Sequence, residues 1–549
     1  MDTTAVERPR HELDNAAVAE RLETLASLLD LSGASYYSVR AYRRAAELIR
    51  STPAPVAELV RNGRVRELRG IGPAIEARLR ELVETGSIAE LDELESEVQP
   101  ELVGLGRLVG LAPRRMVELG RALGVRSAAE LREAAREGRL REVRGIGPST
   151  EAKIVDALAR DRPAAPRGLI MNRAREIADT VAGAVDGVPA GDIRRACDLS
   201  VRFAVVRADA RPERVVERFA RAPGVVSVLE RRERWALGVT VEGVPVELHV
   251  PRTEDFGTAL VRATGSEEFV ESLGELPPAP TEEGVFGALG LPFVPPELRE
   301  GPSTGVVPPP LVELGDIRGD LHCHTVWSDG KASVLEMGGA ARDDHGYEYI
   351  AICDHTVSVR VVPGLDADAV RRQGEEIAVA NEALAPFRIL RGIECDILSD
   401  GTLDLPDDVL AELDWVQASV HAGQRQSREQ LTMRMTEAAR NPAVRCISHP
   451  QGRILNHRPP NAIDLERLFE VCLETSTAVE TNGLPDRIDL SAELVRDAIA
   501  AGLAIVCSTD THSIRGLDNM VNCVGTARRA GATAADVVNA RPLEEVLRA

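Results

Sequence analysis

The chain has 549 residues, enough for three or four domains, and an ordinary hydrophobic content of 44%. A net charge of −21 excludes a protein that is basic throughout, and no apolar run reaches the ~20 residues of a membrane span. The polar start "MDTTAVERPRHELDN" has no apolar signal core, and the eight scattered cysteines form no CxxC pair, so a cytoplasmic protein with no membrane partner is expected.

Charge is spread unevenly: residues 1–180 sum to 0, 181–320 to −8 and 321–549 to −13. A grip on nucleic acid in the N-terminal half must therefore come from local backbone geometry, and the acidic C-terminal half is where cations could be bound.

Residues 12–160 are predicted to be helical throughout, because apolar positions recur every three or four residues, as in "AAVAERLETLASLLDL". A related segment occurs twice, "VRELRGIGPAIEARLREL" at 65–82 and "LREVRGIGPSTEAKIVDAL" at 140–158, with a weaker copy at 110–120 that has Ala112 at the second glycine. In "RGIGP" two glycines permit a tight turn, and the amides opening the next helix can cradle a phosphate. This is the signature of a helix-hairpin-helix turn, with Gly70, Ile71, Gly72 and Gly145, Ile146, Gly147 as candidate DNA-binding residues. The alternative is a plain turn between helices.

Residues 161–168 read as a linker, 169–275 as an α/β unit with an antiparallel sheet, and 276–310 as a second junction rich in Pro and Gly. From 316 onward seven apolar strand candidates alternate with helices, at 319–323, 347–353, 388–394, 414–420, 444–448, 477–481 and 503–508. That alternation predicts a parallel sheet, and seven strands without a long break favour a barrel.

Six of the seven strands end in a His, Asp or Glu: His322, His324 and Asp329 after the first, then Asp354 and His355, Glu394, His421, His449, and Asp510 with His512 after the seventh. The remaining strand, ending "VETNG", offers no histidine. Parallel β/α barrels gather their sites at those strand ends, and the i, i+2 pairs put each pair on one face. Mixed imidazole and carboxylate donors suit Zn²⁺, Mn²⁺ or Fe²⁺. Nine candidates, His322, His324, Asp329, His355, Glu394, His421, His449, Asp510 and His512, exceed what one ion takes, so two or three divalent ions are expected. Asp354 is a candidate catalytic or orienting acid, and Arg453 in "HPQGR" is a candidate phosphate contact.

"DLHCHT", "SDG", "CDH", "GIECDIL", "SVH", "SHPQGR" and "STDTHS" resemble the motifs of the polymerase-and-histidinol-phosphatase (PHP) family over the last ~230 residues. The resemblance implies a distorted barrel, a trinuclear site built from those nine residues, and Glu394 as the bridging carboxylate. Together with the hairpins, "VRAYRRAAELI" at 39–49 and "ALGLPFVPPELRE" at 288–300, the whole chain resembles the bacterial DNA polymerase X family with a C-terminal PHP domain. That likeness implies a multidomain fold. Residues 1–90 and 91–165 would be all-α helix-hairpin-helix domains, 166–310 an α/β nucleotidyltransferase-like palm and thumb, and 316–549 a distorted (β/α)7 PHP barrel.

The polymerase centre departs from the family's pattern. The Gly-Ser-x-Arg-Arg turn reads "GDIRR", with Asp192 at the serine position. The paired metal-binding aspartates fall on Arg202 and Ala204, and a third falls on Glu247. An arginine at a cation site inverts its electrostatics, so nucleotide addition is expected to be absent. Residues 1–152 contain no lysine, which argues against Schiff-base lyase chemistry there. The expected function is a DNA-processing, metal-dependent phosphodiesterase, a 3′→5′ exonuclease of DNA repair acting on gapped, recessed or single-stranded DNA. The alternatives are a PHP-type phosphatase of small phosphate monoesters and a DNA-binding scaffold with structural metals.

Overall fold

The computed structural model describes residues 15–32, 36–51, 56–68, 70–97, 118–120, 122–125, 128–143, 146–147, 151, 168–240, 242–359, 362–424, 426–456 and 458–548. Ala112 and Gly145 lie outside the described residues, as does nearly all of the linker at 161–168. The chain forms two compact units, Met1–Pro166 with Pro212–Leu248, and Arg167–Arg211 with His249–Ala549. No helix among the described residues is long and apolar enough to cross a membrane.

The first unit begins with helices α1 (Asn15–Ser32), α2 (Tyr36–Ser51), α3 (Val56–Arg61), α4 (Pro73–Thr85) and α5 (Ala89–Glu97). Leu22, Leu25, Val39, Ile49, Ile71, Ile75 and Leu79 share one core. Pro73 opens α4 where a missing N–H costs nothing, and Gly86 closes it in the left-handed conformation, with φ 84°. A second core in this unit joins Leu119, Leu131, Leu140, Val143 and Ile146 to Val239 on the strand Trp235–Thr240, which pairs antiparallel with Val225–Arg232.

The second unit holds a mixed α/β segment and the barrel. In the former, helix Met171–Val185 precedes the antiparallel strands Val188–Gly191 and Phe203–Val206, and helices Phe256–Thr264 and Glu282–Ala288 follow. The barrel strands are β1 (Gly319–Cys323), β2 (Tyr349–Ile352), β3 (Arg388–Asp396), β4 (Trp415–Ser419), β5 (Val444–Ile447), β6 (Ala478–Asn482) and β7 (Ile505–Ser508). They lie side by side in sequence order, and every pair is parallel. A parallel bridge between Cys323 and Thr511 nearly closes the ring, with His324 N donating to Thr511 O at 2.8 Å.

Strand alternation sorts the side chains. Val416, Ala418, Val479, Ile505 and Cys507 face the outer helices. Leu321, Tyr349, Leu390, Trp415, Cys446, Ala478 and Val506 fill the lower interior as an apolar plug. Two residues further along β6 the inward positions become polar, Glu480 and Asn482, both fully buried. A dry floor beneath a polar upper layer lets the strand ends carry ionisable groups. All eight cysteines are buried and free.

Candidate metal centre

Glu394, near the C-terminal end of β3, lies at the middle of the upper layer. Its Oε1 is 2.8 Å from His449 Nε2 and 3.3 Å from His421 Nε2. Its Oε2 is 2.8 Å from His355 Nδ1, 3.5 Å from His322 Nε2 and 3.7 Å from His324 Nε2. Asp510 Oδ1 is 3.1 Å from His324 Nε2, and Asp329 bridges the rim, 3.6 Å from His355 and 3.3 Å from His512. All nine residues read from the strand ends are therefore brought together at one end of the barrel. Eight of them form three overlapping donor groups, His324/Asp329/His355/His512, His322/His324/Asp510 and His355/Glu394/His421, with donor atoms in each within 4.8 Å of one another, and the ninth, His449, meets Glu394. Asp329 and His512 are the more open members, with side chains 27% and 30% exposed, so the cluster opens at that edge.

The donor set fits divalent cations. His322 Nε2, both ring nitrogens of His324, His355 Nδ1 and Glu394 Oε2 are buried with no hydrogen-bond partner. Close approach without hydrogen-bond alignment means that these lone pairs share a space rather than satisfy each other, a costly arrangement unless something cationic occupies it. Two of the participants, His449 at φ 28° and Asp510 at φ 51°, are in the sparsely populated left-handed region, where backbone strain clusters with function.

A supporting layer fixes the donors. Glu480 Oε1 takes His322 Nδ1 at 2.7 Å and the Ser508 hydroxyl at 2.5 Å, while its Oε2 accepts from the Ser448 hydroxyl and from His449 N. Asn482 donates to Asp510 at 2.9 Å, and Asp396 Oδ1 accepts from His421 N and lies 3.4 Å from its Nδ1. Such partners set ring orientation and tautomer in metal sites. Sequence reasoning passed over Glu480 and Asn482 by seeking histidine. The usable signal was their i, i+2 spacing in an otherwise apolar strand.

Electrostatics follow from the geometry. Burial pulls the His322 imidazole down, but Glu480, Asp510 and Glu394 outweigh it and hold it well above the ordinary value. His421 reaches about 9 against burial, through Glu394 and Asp396, and His512 about 9 through Asp329 and Asp510. Burial and the like charges of His512 and His355 push His324 down to about 4. Burial opposes ionisation of Glu394 and Asp510, yet the surrounding imidazoles keep both well below the carboxylate range.

Two other candidates are placed differently. Asp354 joins none of the donor groups: its carboxylate accepts from Thr325 N and Oγ1, Ser328 Oγ and Gln373 Nε2, and so holds the loop that carries Asp329. Arg453 is turned away from the cluster and pairs with Asp198 at 2.6 Å. The arginine at the cluster is Arg487, in the loop after β6, whose Nε lies 3.8 Å from Asp510 Oδ2.

The two glycine turns have matching frames. Ile71 N bonds Leu68 O and Glu76 N bonds Gly72 O; Ile146 N bonds Val143 O and Glu151 N bonds Gly147 O. Ile71 and Ile146 are each 5% exposed and anchor the turns, while Gly70 adopts φ 112°, which strongly favours glycine.

Residues 13–88 match the helix-hairpin-helix domain family. Over 558 aligned residues the chain is 34% identical to the Bacillus subtilis protein named DNA polymerase/3'-5' exonuclease PolX, covering 96% of this chain and 97% of that one. The chain belongs to the DNA polymerase X family. Shorter stretches resemble proteins named probable phosphatase: 201 residues at 28% identity in Acetivibrio thermocellus (35% of this chain, 78% of the relative) and 240 residues at 26% in Syntrophotalea carbinolica (42% and 93%).

The residues that the resemblance puts at palm positions are engaged internally. Asp192 Oδ2 accepts from Val201 N and Arg202 N at 2.7 and 2.8 Å, and its Oδ1 takes Arg195 at 2.6 Å. Arg194 makes a two-pronged contact with Glu282 at 2.8 and 2.6 Å. The Arg202 guanidinium donates to Gly265 O, Ala204 is 1% exposed, and Glu247 accepts from Trp235 Nε1 at 3.3 Å.

Proposed function

We propose that this polymerase X family protein is a metal-dependent phosphodiesterase that removes nucleotides from DNA in the 3′→5′ direction. The observation that carries the reading is the convergence of nine imidazole and carboxylate side chains, four of them with unpartnered buried lone pairs, in a chain that also bears glycine turns suited to a phosphate backbone. Two or three divalent ions, Mn²⁺, Zn²⁺ or Fe²⁺, would be held by His322, His324, Asp329, His355, Glu394, His421, His449, Asp510 and His512, and would supply acidity to water and neutralise phosphoryl charge.

The chain's own groups supply the rest. Glu394 touches five imidazoles and is suited to bridging. Glu480 and Asp396 keep His322 and His421 oriented. Arg487 brings a fixed positive charge to the mouth, where a phosphodiester oxygen would be neutralised. The amides at Gly70–Gly72 and Gly145–Gly147 hold the DNA backbone without reading sequence. The palm is inactive in nucleotide addition, because its metal positions are Arg202 and Ala204 and its anion-binding arginines are spent on Asp192, Glu282 and Glu300. A primer-extension assay with Mg²⁺ and Mn²⁺ should show no templated synthesis.

The test is a 5′-labelled oligonucleotide incubated with the full chain across a metal titration. A ladder shortening from the 3′ end is expected, lost in the His322→Ala, His324→Ala double variant while DNA binding persists. Cleavage retained by that variant would place the chemistry elsewhere. A small phosphate monoester remains a second substrate class, favoured by the likeness to the probable phosphatases. Faster turnover of an aryl phosphate than of DNA would select it.

A further inference from the structure

Within the second unit, one carboxylate of the polymerase-like segment is linked to the mouth of the metal centre. Asp198 follows the Gly191–Arg195 turn. Its Oδ2 accepts from Arg453 at 2.6 Å and its Oδ1 from Arg529 at 3.4 Å. The three side chains are 15%, 13% and 17% exposed, so solvent screens these pairs weakly. Around them Arg195 and Arg529 share Glu300, Asn456 donates to Gly168 O at 2.9 Å, and Met171, Ala196, Leu455 and Ile488 form a small apolar core.

Arg453 carries the contact onward. Its Nε donates to the carbonyls of Arg487 and Ile488, each at 3.1 Å, and its terminal nitrogen also reaches Ile488 O. Ile488 has φ 44°, a conformation that a β-branched residue holds only where its surroundings fix it. The preceding side chain is Arg487, the cation beside Asp510. The chain of contacts therefore runs Asp198, Arg453, the 487–488 backbone, Arg487, Asp510.

We propose that Asp198 is a positioning residue for the hydrolytic centre, in which the former polymerase segment, through Arg453, aims Arg487 at the substrate phosphate. This rests on the hydrolase reading above. It gives the polymerase-like segment a use that does not require nucleotide addition. Without the Asp198 carboxylate Arg453 loses its ionic partner, the backbone at 487–488 gains freedom, and Arg487 spends less time in register.

The experiment compares the full chain with Asp198→Asn, Asp198→Glu, Arg453→Gln, Arg487→Lys and the Asp198→Asn, Arg487→Lys double variant, using a labelled oligonucleotide and saturating Mn²⁺. Asp198→Asn and Arg453→Gln should each lower kcat on the order of tenfold with little change in KM, since slight misplacement of a positioned group costs rate. Asp198→Glu should recover part of the loss. The double variant should be no slower than Arg487→Lys alone, and amide exchange in 484–490 should be faster in Asp198→Asn. Effects of Asp198→Asn and Arg487→Lys that multiply independently, or a normal kcat in both Asp198→Asn and Arg453→Gln, would overturn the inference while leaving the hydrolase reading intact. A full chain that hydrolyses nothing would overturn both.

Discussion

At the scale of single residues, the centre is organised by which lone pairs have partners and which do not. Glu480 satisfies His322 on one side, leaving His322 Nε2 free to face the shared space. Replacing Glu480 by Gln keeps the shape but removes the charge that orients and enriches that ring. Metal affinity should fall by about 10- to 100-fold, read by titration calorimetry with Mn²⁺; unchanged affinity would mean that His322 needs no such support. The convergence of the nine strand-end residues was legible because each follows a short apolar run with a strongly biased residue type. Glu480, Asn482 and Arg487 were not. The first two matter through hydrogen bonds to groups distant in sequence, and Arg487 is an ordinary loop arginine until the fold brings it beside Asp510.

At the scale of elements, the barrel strands were legible because strands buried on both faces read as continuous apolar runs separated by helical periodicity. The expected 414–420 became Trp415–Ser419 and 503–508 became Ile505–Ser508, differences confined to ends. The bridge from Cys323 to Thr511 was not legible, since no local pattern encodes pairing between segments so far apart in sequence. The first hairpin was legible from glycine spacing, and the φ of 112° at Gly70 gives that glycine its reason. Gly70→Val places a β-branched residue in that conformation, so it should weaken DNA binding several-fold without changing turnover of a soluble aryl phosphate. Fluorescence anisotropy over a salt series checks this; equal affinity would remove the first turn from the DNA interface. The proposed contact is with phosphate, so the difference should shrink as salt rises.

At the scale of the whole molecule, one chain combines a helix-hairpin-helix region, a mixed α/β segment whose ionic groups are tied to one another, and a barrel whose strand ends gather nine imidazole and carboxylate groups. The charge distribution agrees: the residues from 321 onward carry −13 of the total −21, as expected where divalent cations compensate buried carboxylates. Chelation should therefore abolish hydrolysis while leaving the affinity for single-stranded DNA within about twofold, because the proposed backbone-amide contacts of the glycine turns need no metal. Loss of both together, measured on one sample, would mean that the barrel itself grips the DNA. Anomalous scattering from crystals grown with Mn²⁺ would reveal whether the strand ends of the barrel hold catalytic cations. Manganese peaks are expected about 2.0–2.3 Å from donor atoms of His322, His324, His355, His421, His449, His512 and the three carboxylates. A map with no peak among them, from protein that still degrades an oligonucleotide, would contradict this placement of the cations.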